Sequence, residues 1–246
     1  RKLQLPPGVL DVVIDTDAFN EVDDQFALVY ALASPERIRV QAVYAAPFYN
    51  DKSVSPADGM EKSYQEILKI FAMLGRDPAG MVFKGSATYL PETGYVESEA
   101  ARDLVAKAMA RADDDPLYVV ALGAITNVAS AIRMCPQIIR KIVVIWLGGN
   151  AFYWPDVNEF NLRQDVTGPG VLFDSTVPLM LLPCMGVVSN VHTTIPELQA
   201  YLKGKNEIAD YLYSIVSGYS EDHFAWSKVI WDITTIAWLI CPDWLP

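Results

Sequence analysis

Six apolar runs rich in β-branched residues punctuate the chain, at 9–14, 38–45, 81–83, 117–122, 142–147 and 177–182. Most are separated by segments of helical periodicity. Runs such as Val12-Val13-Ile14 and Val143-Val144-Ile145 are apolar on successive residues, so both faces of each strand must be buried. A parallel sheet covered by helices on both sides meets that demand. The expected fold class is α/β, an open and mostly parallel sheet with a helical C-terminal part. Helices are expected at 24–33, 61–74, 98–112 and 126–134, the last stopping before Pro136. Beyond residue 185 the strands are expected to give out, leaving helices at 196–202, 207–216 and 229–240 that close over the sheet edge. No repeat, linker or low-complexity stretch interrupts the pattern, and 246 residues at 52% hydrophobic composition can bury one large core, so residues 1–246 read as a single domain.

Charge and cysteine content narrow the partners. A net charge of -11 is spread through the sequence without a basic block, which argues against nucleic acid and anionic membrane surfaces. Cys135, Cys184 and Cys241 are widely spaced and odd in number, as expected of reduced core residues in an intracellular protein. No apolar stretch reaches the length of a membrane span, and Arg1 and Lys2 are not followed by a signal core, so a cytoplasmic location is expected.

In open parallel sheets, chemistry collects in the loops beyond the carboxyl ends of the strands. After the first run comes Asp15-Thr16-Asp17-Ala18-Phe19-Asn20-Glu21-Val22-Asp23-Asp24, with five carboxylates in ten residues. No lysine or arginine lies between residues 3 and 36 to offset them. Crowded carboxylates raise one another's pKa unless a cation sits among them, and an all-oxygen donor set suits a hard ion such as Ca²⁺ or Mg²⁺. Helix capping by some of these residues is the competing explanation. Later loops add Asn50, Leu122-Gly123-Ala124-Ile125-Thr126-Asn127 with Thr126 as a helix N-cap, Gly148-Gly149-Asn150, and Asn158-Glu159-Phe160-Asn161.

Together and in this order, these elements resemble the calcium-dependent inosine-uridine preferring nucleoside hydrolase family. Asp15-Thr16-Asp17 and Asp23-Asp24 match its opening signature, although the turn between them is two residues longer than the family's. Leu122 to Asn127 is similar to its Leu-Gly-Pro-Leu-Thr-Asn element, Glu159-Phe160-Asn161 to its Glu-Phe-Asn element, and Asp232 to a late aspartate. The resemblance implies a Rossmann-like fold, Ca²⁺ held by Asp17, Asp24, Asp232 and the Thr126 carbonyl, and Asp17 as general base on a calcium-bound water. It implies ribose contacts from Asp23, Asn161 and Glu159, with Asn50, Asn150 and Asn158 as further sugar-side candidates. The implied reaction is hydrolysis of ribonucleosides or a related riboside to ribose and base, by a homodimer or homotetramer.

One departure concerns the leaving group. Family members carry a histidine immediately before the late aspartate, where it protonates the departing base; here the residue is Trp231, which offers a stacking face and no proton. Of the two histidines, His223 is the candidate acid, beside Glu221 and Asp222, and His192 the other. Phe152, Tyr153 and Trp154 are candidates for an aromatic pocket. The loss of the histidine also fits a non-catalytic calcium-dependent ribose or nucleoside binder. A dehalogenase-like phosphatase opening lacks its later lysine and acidic pair here, and the cluster lacks the glycine and distant glutamate of an EF-hand. Gly168-Pro169-Gly170 reads as a break where the family has helix, and the sequence ends at Pro246, before the further strands of full members.

Overall fold

The computed structural model describes residues 3–244; Arg1, Lys2, Leu245 and Pro246 lie outside the described residues. Strand and helix alternate as β1 (Leu10–Thr16), α1 (Asp24–Leu32), β2 (Ile38–Ala45), α2 (Pro56–Met73), β3 (Val82–Lys84), α3 (Glu99–Met109), β4 (Leu117–Ala121) and α4 (Thr126–Met134). They continue as β5 (Ile142–Leu147), α5 (Phe160–Gln164), α6 (Thr167–Asp174) and β6 (Leu179–Leu182). The six strands form one sheet in the order β3-β2-β1-β4-β5-β6, and every neighbouring pair is parallel. The chain winds outward through β2 and β3, then returns to the other side of β1 with β4. That reversal opens a crevice beyond the carboxyl ends of β1 and β4, where open sheets of this type bind ligands.

Both sheet faces are covered, as the apolar runs require. Along β1, Leu10, Val12 and Ile14 enter one core with Ala27, Leu28, Ile67 and Ile70 from α1 and α2, while Val13 enters the opposite core with Leu104, Val128 and Ala131 from α3 and α4. Helix α2 begins five residues before the expected Glu61. Its first turn, Pro56-Ala57-Asp58-Gly59, has no apolar periodicity and reads as loop, yet Ser55 Oγ accepts from Asp58 N at 3.2 Å and Pro56 suits the opening turn. Gly59 is needed there because a Cβ would lie 2.0 Å from the Phe48 carbonyl oxygen.

Gly168-Pro169-Gly170 is not a break. Pro169 lies in the first turn of α6, where its missing N–H costs nothing, and the helix runs through all three residues.

The C-terminal part also differs from expectation. Strands do not end at residue 185: β7 (His192–Thr193) pairs antiparallel with β8 (Lys228–Val229) across the intervening α7 (Ile195–Tyr201) and α8 (Glu207–Ser217). Two-residue strands carry no readable periodicity, and the pairing is fixed by tertiary contact. The last helix, α9 (Ile233–Ile240), therefore starts later than residue 229, and it packs against α1 on the sheet face instead of closing an edge. Val22 and Phe26 join Ile195, Leu198, Leu212 and Val216 in a third apolar cluster. That cluster seats α7 and α8 beside the acidic turn. Among the described residues, no helix is long and apolar enough to cross a membrane.

Candidate active site

The end of β1 delivers the carboxylates. Asp15, Thr16, Asp17, Asp23 and Asp24 are all buried, at 3% exposure or less. The lengthened turn is pinned at both ends: Asn20 N donates to Asp17 O at 2.7 Å, and Gln25 Nε2 donates to Ala18 O at 2.6 Å. Asp23 occupies the N-cap position of α1 without a side-chain capping bond, and Asp24 begins the helix while accepting from Thr16 Oγ1 at 2.5 Å. From the far end of the chain, α9 supplies Asp232 as its own N-cap, equally buried. Ligand atoms of Asp23, Asp24 and Asp232 all lie within 4.8 Å of one another. Gly123 makes room for Asp17, since a Cβ there would stand 2.9 Å from the Asp17 Cγ.

These carboxylates are electrostatically unsatisfied. Burial pushes Asp17 well above the ordinary carboxylate range, and the charges of Asp24, Asp23 and Glu21 push it further. Asp232 is raised in the same direction by burial and then by Asp24, Asp23 and Asp17. Burial lifts Asp23 to about 7 against the pull of Lys228, and Asp24 to about 6 against hydrogen bonds from Thr16 and Asp232. Asp17 Oδ2 is buried with no hydrogen-bond partner. An orphaned carboxylate oxygen beside three clustered carboxylates, all hard oxygen donors, fits a divalent cation such as calcium or magnesium. Asp15 stands behind the cluster, raised to about 7 by burial, with Oδ1 held by Asn127 Nδ2 at 2.7 Å.

A cavity of about 340 Å³ opens above this floor, lined in part by Asp17, Asp23, Asp24, Asp232, Asn150, Asn158, Glu159, Asn161 and Trp231. Glu159 caps α5: its carboxylate accepts from Asn161 N, Leu162 N and Gly149 N at 2.8–2.9 Å, which ties α5 to the loop after β5. Asn161 Nδ2 donates to Leu122 O at 2.8 Å and Leu147 O at 3.0 Å. Its donors are spent on two strand ends, so the amide oxygen is what Asn161 presents to the cavity. Asn150 is held between Asp156 O and Met185 N, and Asn158 Oδ1 accepts from Arg163.

Other expected residues lie elsewhere. Thr126 is not the N-cap of α4, a position Ile125 holds; its hydroxyl donates to Asp165 Oδ2 at 2.5 Å, and Thr126 is absent from the cavity wall. Asn50 stands one residue back, donating to Asn20 Oδ1 at 2.7 Å, with Asn20 on the wall. Of the aromatic trio only Trp154 lines the cavity; Phe152 is fully exposed and Tyr153 is turned to the Gly186 carbonyl. His223 is exposed, with Nε2 against Ser217 O at 3.0 Å and its ring 5.6 Å from that of Trp226. His192 contacts Ser227 Oγ. Neither histidine reaches the cavity.

Sequence reading missed two groups. Lys228, buried, brings its Nζ to 2.6 Å from Glu21 Oε2, a cation supplied from outside the local stretch that holds none. Asp165, also buried, accepts from Thr126 Oγ1, Leu90 N and Gly168 N, which seats α4, α6 and the segment after β3 on one carboxylate. The only sequence signal for Lys228 is a lone charge opening the apolar run Val229-Ile230-Trp231; Asp165 has none.

Known proteins share this chain's sequence pattern and fold. The family model described as inosine-uridine preferring nucleoside hydrolase matches residues 12–246. A pyrimidine-specific ribonucleoside hydrolase, RihA, of Salmonella paratyphi A is 27% identical over 263 residues, covering 95% of this chain and 80% of the relative. The fold is that of a purine-preferring ribonucleoside hydrolase from Gardnerella vaginalis, with a TM-score of 0.76 at 22% identity over 95% of this chain and 80% of that one. A plant nucleoside hydrolase superposes with a TM-score of 0.75 at 22% identity, over 97% of this chain and 80% of the other.

Proposed function

The chain belongs to the inosine-uridine preferring nucleoside hydrolase family, and from that premise we propose that it hydrolyses the N-glycosidic bond of ribonucleosides, releasing ribose and the free base. The observation that carries this reading is the buried cluster of Asp23, Asp24 and Asp232, within 4.8 Å, on the same cavity as the unpartnered Oδ2 of Asp17. Calcium is the proposed ion, held by Asp24, Asp232 and Asp17, because a cluster rich in carboxylate oxygens suits its larger and less regular coordination shell. When bound, it offsets the carboxylate charge and orients the ribose 2′ and 3′ hydroxyls and the attacking water.

The chain's own residues perform the rest. Asp17 accepts the water proton on its carboxylate, whose Oδ2 no protein donor satisfies. The water oxygen bonds to C1′ as the C1′–N bond breaks, through an oxocarbenium-like state of the kind carboxylates stabilise in other glycosidases. Asp23 and the Asn161 amide oxygen accept from ribose hydroxyls, while Glu159, fixed by three backbone N–H groups, shapes the 5′ side. Trp231 and Trp154 line the cavity with flat aromatic faces. Family resemblance also supports a homodimer or homotetramer.

The test is a panel of purine and pyrimidine ribonucleosides with their 2′-deoxy counterparts, assayed for free sugar. A site whose buried acceptors need a hydroxyl should prefer ribose by at least about a hundredfold. Comparable turnover of a 2′-deoxynucleoside would overturn the assignment.

A further inference from the structure

A second compartment, of about 710 Å³, adjoins the catalytic cavity across Asn20, Glu21 and Phe160, which line both. Its far wall carries Asn50, Asp51, Lys52, Ser214 and Tyr219, so Lys52 faces one carboxylate there besides the shared Glu21. Lys52 Nζ donates to Asn20 O at 2.8 Å; Asn20 lines both spaces, whereas Lys52 lines only the second. Two cations approach the Tyr219 ring, Lys52 Nζ at 5.9 Å and Lys228 Nζ at 5.0 Å from its centroid. Its hydroxyl has no hydrogen-bond partner among the described residues.

The chemistry of the proposed reaction creates a need on this side. The floor holds Asp17, Asp23, Asp24 and Asp232, with Glu21 on the shared lip, and all of them repel the negative charge that grows on a departing base. Neither histidine reaches the cavity, Trp231 has no proton to give, and burial raises the Cys184 thiol far out of range of proton donation. Lys228 is committed to Glu21 Oε2 at 2.6 Å and Val229 O at 3.0 Å. Lys52, with three donors, has one on Asn20 O and two left for a ligand.

Resting on the hydrolase reading above, we propose that the second compartment receives the leaving base, with Tyr219 as its stacking face and Lys52 as its proton donor. The C1′–N bond breaks with its electron pair on the base nitrogen. Lys52 Nζ gives a proton to a ring nitrogen of the base lying in the second compartment, which draws the electron pair through the ring, and regains one from solvent, to which it is open, while the water proton goes to Asp17. Tyr219 acts through its ring, so the hydroxyl is dispensable.

The experiment compares wild-type, Lys52→Met, Tyr219→Leu and Tyr219→Phe proteins, in calcium, on the best ribonucleoside and on 4-nitrophenyl riboside, whose leaving group needs no proton. Both side chains are exposed, so the variants should fold. Lys52→Met should lower kcat on the nucleoside at least tenfold and change the nitrophenyl riboside less than twofold. Tyr219→Leu should raise KM for the nucleoside about fivefold or more, and Tyr219→Phe should leave it unchanged. Equal losses on both substrates, which a structural role through Asn20 would give, or no loss on either, overturn the proposal. A wild-type protein that releases ribose from neither substrate overturns the hydrolase reading, and this proposal with it.

Discussion

Lys228 Nζ lies 2.6 Å from Glu21 Oε2, so a lysine 207 positions along the chain neutralises the edge of the acidic turn. The contact joins β8 to the loop after β1 and leaves the deeper aspartates to another positive charge. Lys228 is 7% exposed and Glu21 is more open, so the pair is part of the site's frame as well as its electrostatics. Replacing Lys228 with Met should cost about 1–3 kcal/mol in urea unfolding, because Glu21 and Asp23 lose their compensating charge. Lys228→Arg should recover most of it.

Metal binding should release protons. In the metal-free protein the native state holds Asp23 to about 7 and Asp24 to about 6, above the usual carboxylate value of 3.8, so it carries protons that the unfolded chain has already lost near pH 5. Raised folded-state values stabilise the apo protein below about pH 4, and that contribution is lost as pH rises through 6 to 7. Calorimetric calcium titrations at pH 6 in two buffers of different ionisation enthalpy should therefore show proton release. Asp232→Asn should weaken calcium binding at least about a hundredfold.

Asp11 gives the opposite sign at the far end of β1. The Arg39 guanidinium, then Arg111 and Gln41, hold its buried carboxyl at about 2, below the usual 3.8. A depressed folded-state value adds stability above about pH 4 that is lost as pH falls through 2. The gap between wild-type and Asp11→Asn unfolding free energies should be about 2 kcal/mol at neutral pH. It should shrink as the pH is lowered from 4 towards 2.

Gly123 holds space for Asp17, the proposed general base. A Cβ at 2.9 Å from the Asp17 Cγ must displace that carboxylate, so Gly123→Ala should lower kcat at least about tenfold. The melting temperature should fall by only a few degrees. Full activity in this variant would show that Asp17 tolerates displacement.

The sheet was legible because burial on both faces leaves continuous apolar runs; β2 and β5 match their expected bounds, and the other four shift by a residue or two. The aspartates were legible because they crowd one local turn, and Asp232 because it repeats a familiar late position. Long-range partners were not: β7 and β8 are two residues each, and Lys228, Asp165 and Lys52 acquire meaning only through contacts with distant segments. Thr126 looked like a cap because threonine favours that position, yet a buried carboxylate from α6's start claims its hydroxyl. His223 looked near the site by chain distance, but the segment after α8 turns its ring to Ser217 and Trp226.

The most direct measurement is release of free ribose from a ribonucleoside panel by the wild-type protein and by Asp17→Asn, each with calcium and with a chelator. The expected result is ribose release by the wild type in calcium, loss of release on chelation with recovery on adding calcium back, and at least about a thousandfold lower kcat for Asp17→Asn. Tight calcium-dependent nucleoside binding without any ribose release, or release unaffected by the chelator and by the loss of the Asp17 carboxylate, would contradict it.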